Sequence, residues 1–418
     1  VSPQKSTTAL TKAAKRALVP KLRFPEFRGA GAWKPITLQE ASTLVAERVG
    51  KRKLTPVSIS AGVGFVPQAE KFGRDISGNQ YQLYTLVRDG DFVFNKGNSL
   101  KFPQGCIYLL EGWGQVAAPN VFICFRLKDG YSNGFFQNCF EQNQHGRQLK
   151  RHITSGARSN GLLNISKETF FGVEIPTPTP AEQQKLAECL SSVDELIAAQ
   201  ARKVDALKTH KKGLMQQLLP REGETQPRLR FPEFQNAPAW KVKPLGKVAE
   251  NFDNQRVPIT SSDRNAGDVP YYGASGIVDY VDGFIFDEDL LCISEDGANL
   301  VARTYPIAFP ISGKTWVNNH AHVLRFENAC TQKFVEVYLN SIKLDDFITG
   351  MAQPKLNKAM LDRIPIPHTS VPEQQRMASC LSNLDALITA EAQKLVTFRT
   401  HKKGLMQQLF PSPEEVAT

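Results

Sequence analysis

Two stretches of this chain share one pattern of apolar and polar positions. Between Glu182 and Leu218 there is no proline and a single glycine, Gly213. Apolar residues recur there with 4-3 spacing at Leu186, Leu190, Val193, Ile197, Val204, Leu207, Leu214 and Leu218, interrupted by Gln200 and Lys211. The second stretch runs through Met377, Leu381, Leu384, Ile388, Leu395, Phe398, Leu405 and Leu409, interrupted by Glu391 and Lys402. The spacing predicts two long helices, each of ~37 residues and ~55 Å. Two surface helices, each packed on its own domain, would also show an apolar stripe; a seam kept over successive heptads favours mutual pairing. In an antiparallel pair about a pseudo-twofold axis the two midpoints, Gln200 and Glu391, approach each other. The predicted seam sets Leu190, Val193, Ile197, Gln200, Val204 and Leu207 against Leu381, Leu384, Ile388, Glu391, Leu395 and Phe398.

Ahead of each helix the pattern changes. Residues 28–179 and 235–371 read as mixed α/β, with short β-rich runs such as Asp91–Phe94, Val121–Phe125 and Ala321–Leu324 between Gly, Asn and Asp turns. Gln332–Ile348 has helical spacing. Pattern alone leaves the order of the strands open. The expected layout is a tail or short helix over 1–21, a first domain over 22–179 and a first helix over 180–220. A linker and second domain follow over 221–371, then a second helix over 372–411 and a tail over 412–418.

The chain repeats itself. Residues 20–27 (PKLRFPEF) return as 227–234 (PRLRFPEF), and Ala32-Trp33-Lys34 returns as Ala239-Trp240-Lys241, both shifted by 207 positions. Glu182-Gln183-Gln184 returns as Glu373-Gln374-Gln375, and HKKGLMQQL occurs at both 210–218 and 401–409, shifted by 191. This is a tandem duplication whose first copy holds 16 extra residues between its kept ends. The middles have diverged almost completely.

The 418 residues suit two or three domains, and 41% hydrophobic with 22% charged residues describes a globular protein with real cores. No run of ~18 apolar residues marks a membrane span, and no apolar segment after the first lysines marks a secretory signal. Seven cysteines without a CxxC pair argue against a disulfide scaffold or cysteine zinc site and for a reducing cytoplasm. The net charge of +10 favours an anionic partner.

The run HKKGLMQQLLPREGETQPRLRFPEF (210–234) resembles the central conserved region of type I restriction-modification specificity subunits, the S or HsdS family. IPTPTPAEQQ (175–184) and IPIPHTSVPEQQ (364–375) resemble the start of that family's long helices. Thr349-Gly350 to Leu356-Asn357 looks like its segment closing a target recognition domain; the first copy departs here, Ser155-Gly156 to Leu163-Asn164 being one residue longer. The resemblance spans residues 20–411. It implies an α+β chain in which two mixed α/β target recognition domains are separated by two long antiparallel coiled-coil helices, with an internal pseudo-twofold repeat. It further implies that each domain reads one half of a split site in double-stranded DNA, and that the helices space the domains and dock two methyltransferase (modification) subunits. Two restriction subunits complete the assembly. S-adenosylmethionine, ATP and Mg belong to those partners, and the specificity chain is not an enzyme.

The residues themselves offer little to catalysis. An adenine methyltransferase needs an Asn or Asp before Pro-Pro and an aromatic, and no Pro-Pro occurs. Ser312-Gly313-Lys314-Thr315 ends like a P-loop, but Ala308 stands where glycine is required and Pro310 lies inside the would-be loop. His320 and His322 alternate as if on one face of a strand, yet no acidic or cysteine partner follows at metal-ligand spacing, so no metal is expected. These absences weigh against a fused methyltransferase or nuclease. A coiled-coil scaffold that gathers proteins without reading DNA stays as the alternative.

DNA reading needs Lys, Arg and polar donors on loops, for phosphates and for base edges. In the first domain the candidates are Lys96, Asn98, Ser99 and Lys101, then Arg147, Lys150, Arg151, Arg158 and Asn160. In the second they are Asn299, then Lys314, Trp316, Asn318, Asn319 and His320, then Gln353 and Lys355. Each loop could equally be a solvated turn. Charge is unevenly shared: residues 22–179 carry 19 basic and 12 acidic side chains, and residues 228–371 carry 15 and 17. Residues 1–21 add five basic groups and no acidic one.

Overall fold

The computed structural model describes residues 17–97, 102–153, 163–221, 224–350 and 353–411. The expectations for the basic tail, for the C-terminal tail, and for Asn98, Ser99, Lys101, Arg158 and Asn160 fall wholly or mainly outside them. Two compact units divide the chain, Val1–Ala199 with Leu395–Thr418, and Gln200–Lys394. The long helices run Pro180–Leu218 and Val371–Leu409, so each gives one half to each unit. No helix among the described residues is long and apolar enough to cross a membrane.

The first unit is built on ten strands: β1 (Lys34–Thr37), β2 (Ser42–Leu44), β3 (Thr55–Ser60), β4 (Gly64–Pro67), β5 (Thr85–Arg88), β6 (Asp91–Asn95), β7 (Cys106–Leu109), β8 (Gln115–Ala118), β9 (Ile123–Leu127) and β10 (Glu174–Thr177). They form the pair β1-β10 and two four-stranded sheets, β2-β9-β6-β7 and β4-β3-β8-β5. All neighbours are antiparallel except β3 and β8. β6 lies inside its sheet with Asp91, Phe92, Val93 and Phe94 buried, which is why its apolar run is continuous rather than alternating. Gly105 brings the chain back onto β6 with φ +81°, where a Cβ would lie 2.5 Å from the Asn95 carbonyl oxygen.

The second unit has the strands β11 (Lys241–Pro244), β12 (Ala249–Asn251), β13 (Ala266–Gly273), β14 (Gly276–Val281), β15 (Phe286–Asp287), β16 (Leu290–Ser294), β17 (Ala308–Ile311), β18 (Lys314–Val317), β19 (Ala321–Phe326) and β20 (Pro365–His368). Its sheets are β11-β20, β12-β19-β16-β17 and β14-β13-β18-β15, again with one parallel pair, β13-β18. Adding ten to each strand number of the first unit reproduces the second. The diverged middles therefore keep one topology, which sequence comparison between the copies does not reveal.

The kept flanks are what hold each unit shut. β1 pairs β10 as β11 pairs β20. Glu182 accepts from Arg23 Nε at 2.7 Å and Nη2 at 2.6 Å; Glu373 accepts from Arg230 Nε at 2.6 Å and Nη2 at 2.7 Å. Both carboxylates are 1% exposed and both pairs are bidentate, the strong geometry for an arginine. Burial alone would raise the Glu373 pKa, but the hydrogen bonds from Arg230 and Thr369 hold it below the usual range. The next residues join the helix to the domain: Gln183 accepts from the Ser132 amide and Gln374 from the Thr331 hydroxyl. The flank then meets the end of the other copy's helix, with Leu22 N–H donating to Gln408 O and Leu229 N–H to Gln217 O, each at 2.9 Å.

This accounts for the outer ends of the predicted seam. Leu186 and Leu190 lie in one core with Trp33, Phe135, Leu409 and Phe410. Met377 and Leu381 lie in another with Leu218, Leu219, Trp240 and Phe334. A purely mutual seam is therefore corrected: its outer turns pack into domain cores, because the aromatic flank residues reach them there. Val204 is buried, while Val193, Ile197, Leu207, Leu384, Ile388, Leu395 and Phe398 are half-buried. Lys211 pairs with Asp385 at 2.5 Å and Gln200 with Glu391 at 2.7 Å, so the helix halves of the second unit run antiparallel. Two local expectations also shift. The Val121–Phe125 run becomes a strand only from Ile123. The helix read over 332–348 is Ala329–Ser341, starting where the Asn328 side chain accepts from the Thr331 amide.

Candidate nucleic-acid interface

In the second unit a buried polar network collects four segments distant in sequence. Asp253, just past β12, accepts from the Val323 amide at 3.0 Å and faces His322 Nδ1 at 2.6 Å. His322 Nε2 lies 2.7 Å from the Leu356 carbonyl. Arg256 Nη1 donates to Glu295 at 2.6 Å and to the Ala321 carbonyl at 2.8 Å. Burial would raise the Asp253 pKa, but the His322 hydrogen bond and charge, with the Val323 amide, hold it below its ordinary value. Ligand atoms of Asp253, Glu295 and His322 lie within 4.8 Å of one another, close enough to be weighed as a metal set. The Arg256 guanidinium already brings positive charge to these carboxylates, and His322 spends its second nitrogen on a carbonyl. The arrangement is that of a self-neutralised charge network.

On this base stands a rim of polar side chains. Asp296 faces His320 Nδ1 at 2.8 Å, Lys355 Nζ lies 3.3 Å from Glu295, and the Gly297 amide donates to Pro354 O. Gly350 makes the closing segment's turn at φ +82°, where a Cβ would lie 2.6 Å from Gln353 O. His320, Asn319, Gln353 and Lys355 are exposed there. Asn299 and Asn318 have their amide groups engaged internally. Asn299 bonds both ways to the Tyr305 backbone, and Asn318, 6% exposed, accepts from the His320 amide. Lys314 and Trp316 belong to the other sheet, on β18, where Lys314 Nζ lies 4.8 Å from the Phe284 ring centre and Trp316 Nε1 donates to Val257 O.

Two readings of the histidines are corrected here, while the rejection of a P-loop at Lys314 stands. His320 and His322 do not share a strand face: β19 begins at Ala321, leaving His320 in the preceding exposed turn while His322 is buried. Acidic partners exist for both, supplied by tertiary contact rather than by spacing. Gly313 takes φ +65° in the turn between β17 and β18, so Lys314 opens a strand, not the helix a P-loop requires.

The first unit has the same loop junction with other residues. The Leu163 amide donates to Lys96 O at 2.8 Å, as the Leu356 amide donates to Glu295 O at 2.7 Å. The position after β6 is thus lysine in one unit and glutamate after β16 in the other, a charge difference at equivalent loop junctions. Arg147, Lys150 and Arg151 are exposed at i, i+3 and i+4 across the helix Gln144–Leu149 and the turn that follows, and so share one face. Asp253 and Arg256 escaped sequence reading because no local pattern ties them to His322.

A family model described as "Type I restriction modification DNA specificity domain" matches residues 238–397. A putative type I restriction enzyme specificity subunit of Haemophilus influenzae is 38% identical over 145 residues, 35% of this chain and 37% of that protein. The MjaVIII specificity subunit of Methanocaldococcus jannaschii is 24% identical over 284 residues, 62% of this chain and 66% of its own length. The chain thus spans less than two thirds of either relative. The crystal structure of an S subunit from M. genitalium aligns over 94% of this chain and 99% of that one, with 16% identity and a TM-score of 0.56. A structure from work on complex assembly and conformational transition of the type I R-M system aligns over 91% and 98%, with 15% identity and a TM-score of 0.56.

Proposed function

We propose that this chain, which belongs to the type I restriction-modification specificity-subunit family, is the DNA-reading subunit of a methyltransferase and endonuclease complex, each unit reading one half of an asymmetric bipartite site. The observation that carries this reading is one frame used twice. The same ten-strand topology, closed by the same Arg–Glu pair, presents different loop residues in each unit, such as Lys96 against Glu295. Identical frames with different edges suit recognition of two different short sequences. The chain itself performs neither methyl transfer nor cleavage. Two modification subunits dock on the long helices, two restriction subunits join them, and S-adenosylmethionine, ATP and Mg2+ are held by those partners. Helices of ~55 Å against a DNA repeat of ~34–36 Å set the half-sites roughly one to one and a half turns apart.

Genomic methylation mapping tests the reading. A host carrying the chain and its modification subunit should show one interrupted, asymmetric adenine-methylation motif that disappears when this chain is deleted. A motif that persists without it, or that has two identical halves, would refute the proposal.

A further inference from the structure

We propose that a cationic cleft in the first unit, formed where the end of the second long helix meets the helix Gln144–Leu149, clamps the phosphodiester backbone of the duplex. The inference rests on the DNA-reading function above and assigns it a contact to the DNA backbone rather than to base edges. The cleft has a volume of about 640 Å³ and brings together Lys21, Arg147, Arg399, Lys402 and Lys403 over a floor containing Met406 and Phe410.

Among the described residues, one of these cations is compensated. Lys402 pairs with Glu141 at 2.9 Å and with Asp194 at 2.8 Å. Among the described residues no ion pair involves Lys21, Arg147, Arg399 or Lys403. Part of the Arg147 side chain is desolvated, and that burial lowers its pKa. Gathering uncompensated positive charge on low-dielectric walls is unfavourable until an anion enters, and such a cleft focuses potential on the anion. The helix dipole does not explain the cluster: the helix ends at Leu409, and its last turn carries no basic residue.

A phosphodiester fits better than an acidic peptide for two reasons. Arg147 shares its helix face with Lys150 and Arg151, so the cleft continues the basic strip of the first unit's candidate interface. The apolar floor is already committed, Met406 being 8% and Phe410 1% exposed, with Phe410 against Trp33 and Phe135. It offers no pocket for a peptide's apolar side chains.

The test uses the full chain with Arg147→Ala, Arg399→Ala and Lys403→Ala combined. Affinity is measured between 50 and 200 mM salt on duplexes with and without the mapped site. Each lost phosphate contact lowers the slope of log K on log salt by about 0.9, so the triple variant should lose about two to three from the slope. Binding should fall by the same factor on both duplexes, leaving their ratio unchanged. The Arg399→Lys, Lys403→Arg variant should keep the native slope, and the charge-matched variant Lys241→Ala, Lys247→Ala, Lys343→Ala should keep it as well. An unchanged slope in the first triple variant, or an equal loss in the charge-matched one, overturns the clamp. So does an unchanged slope with loss of the modification subunit on co-purification, which would assign the cleft to an acidic protein segment. If the native chain bound both duplexes equally, sequence reading would fail while the slope still judged the clamp.

Discussion

Gln200 Nε2 donates to the Glu391 carboxylate at 2.7 Å, and the two residues are each other's counterparts under the 191-residue repeat. Two further counterparts, Lys203 and Lys394, reach the same carboxylate at 3.0 and 3.2 Å. A symmetric duplication would place like against like at this point. The drift of one position to glutamine and the other to glutamate instead produces a carboxylate ringed by donors.

The bonds from Gln200, then Lys203 and Lys394, bring the Glu391 pKa down to about 2. A depressed carboxylate pKa contributes stability that is fully present above its ordinary value near 4.5 and is lost as pH falls towards 2. Glu391→Gln should therefore lower the Tm at neutral pH and flatten its dependence between those limits. Thermal unfolding across that range is the measurement, and superimposable native and variant profiles would contradict it.

The buried Arg–Glu anchors should act locally. Arg23→Ala leaves Glu182 buried without its partner, a loss of about 3–5 kcal/mol, and Arg230→Ala does the same to Glu373. Hydrogen exchange should speed in β1 and β10 for the first substitution and in β11 and β20 for the second. Lysine at either position should restore only part of the loss, since it cannot make the bidentate pair.

His145 lies 2% exposed between the rings of Phe94 and Phe140, and burial lowers its pKa to about 4. The unfolded chain takes up a proton below about 6.5 that the folded chain refuses. Stability is thus fully present above that value and falls by about 3 kcal/mol as pH drops from there to 4. His145→Leu should remove this fall, and a urea titration at pH 7 and pH 4.5 would show whether it does.

The rim and the network beneath it should separate in mutagenesis. His320→Ala and Lys355→Ala should each weaken specific DNA binding, by about 1–3 kcal/mol where a base edge is contacted, and leave the Tm nearly unchanged. His322→Ala should lower both, because it strips Asp253 of its partner in a buried network. A His322 variant with native Tm would remove the scaffold role.

Much of this protein was legible without coordinates. The 4-3 spacing located both long helices, because a helix must keep an apolar stripe in register over many turns. The repeated flanks contain the anchor residues, but the pairing of Arg23 with Glu182 and of Arg230 with Glu373 came only from the tertiary structure, since 159 and 143 positions separate the partners. Tertiary structure alone decided the rest. That the diverged middles share a ten-strand topology is invisible in the sequence, since a sheet interior accepts many apolar residues at the same positions. Asp253, Arg256, Glu295 and His322 carry no mutual spacing, and strand order rather than chain order makes them neighbours. The cationic cleft likewise needs Lys21, Arg147 and Arg399 from three separate segments, and only folding turns scattered charge into a site.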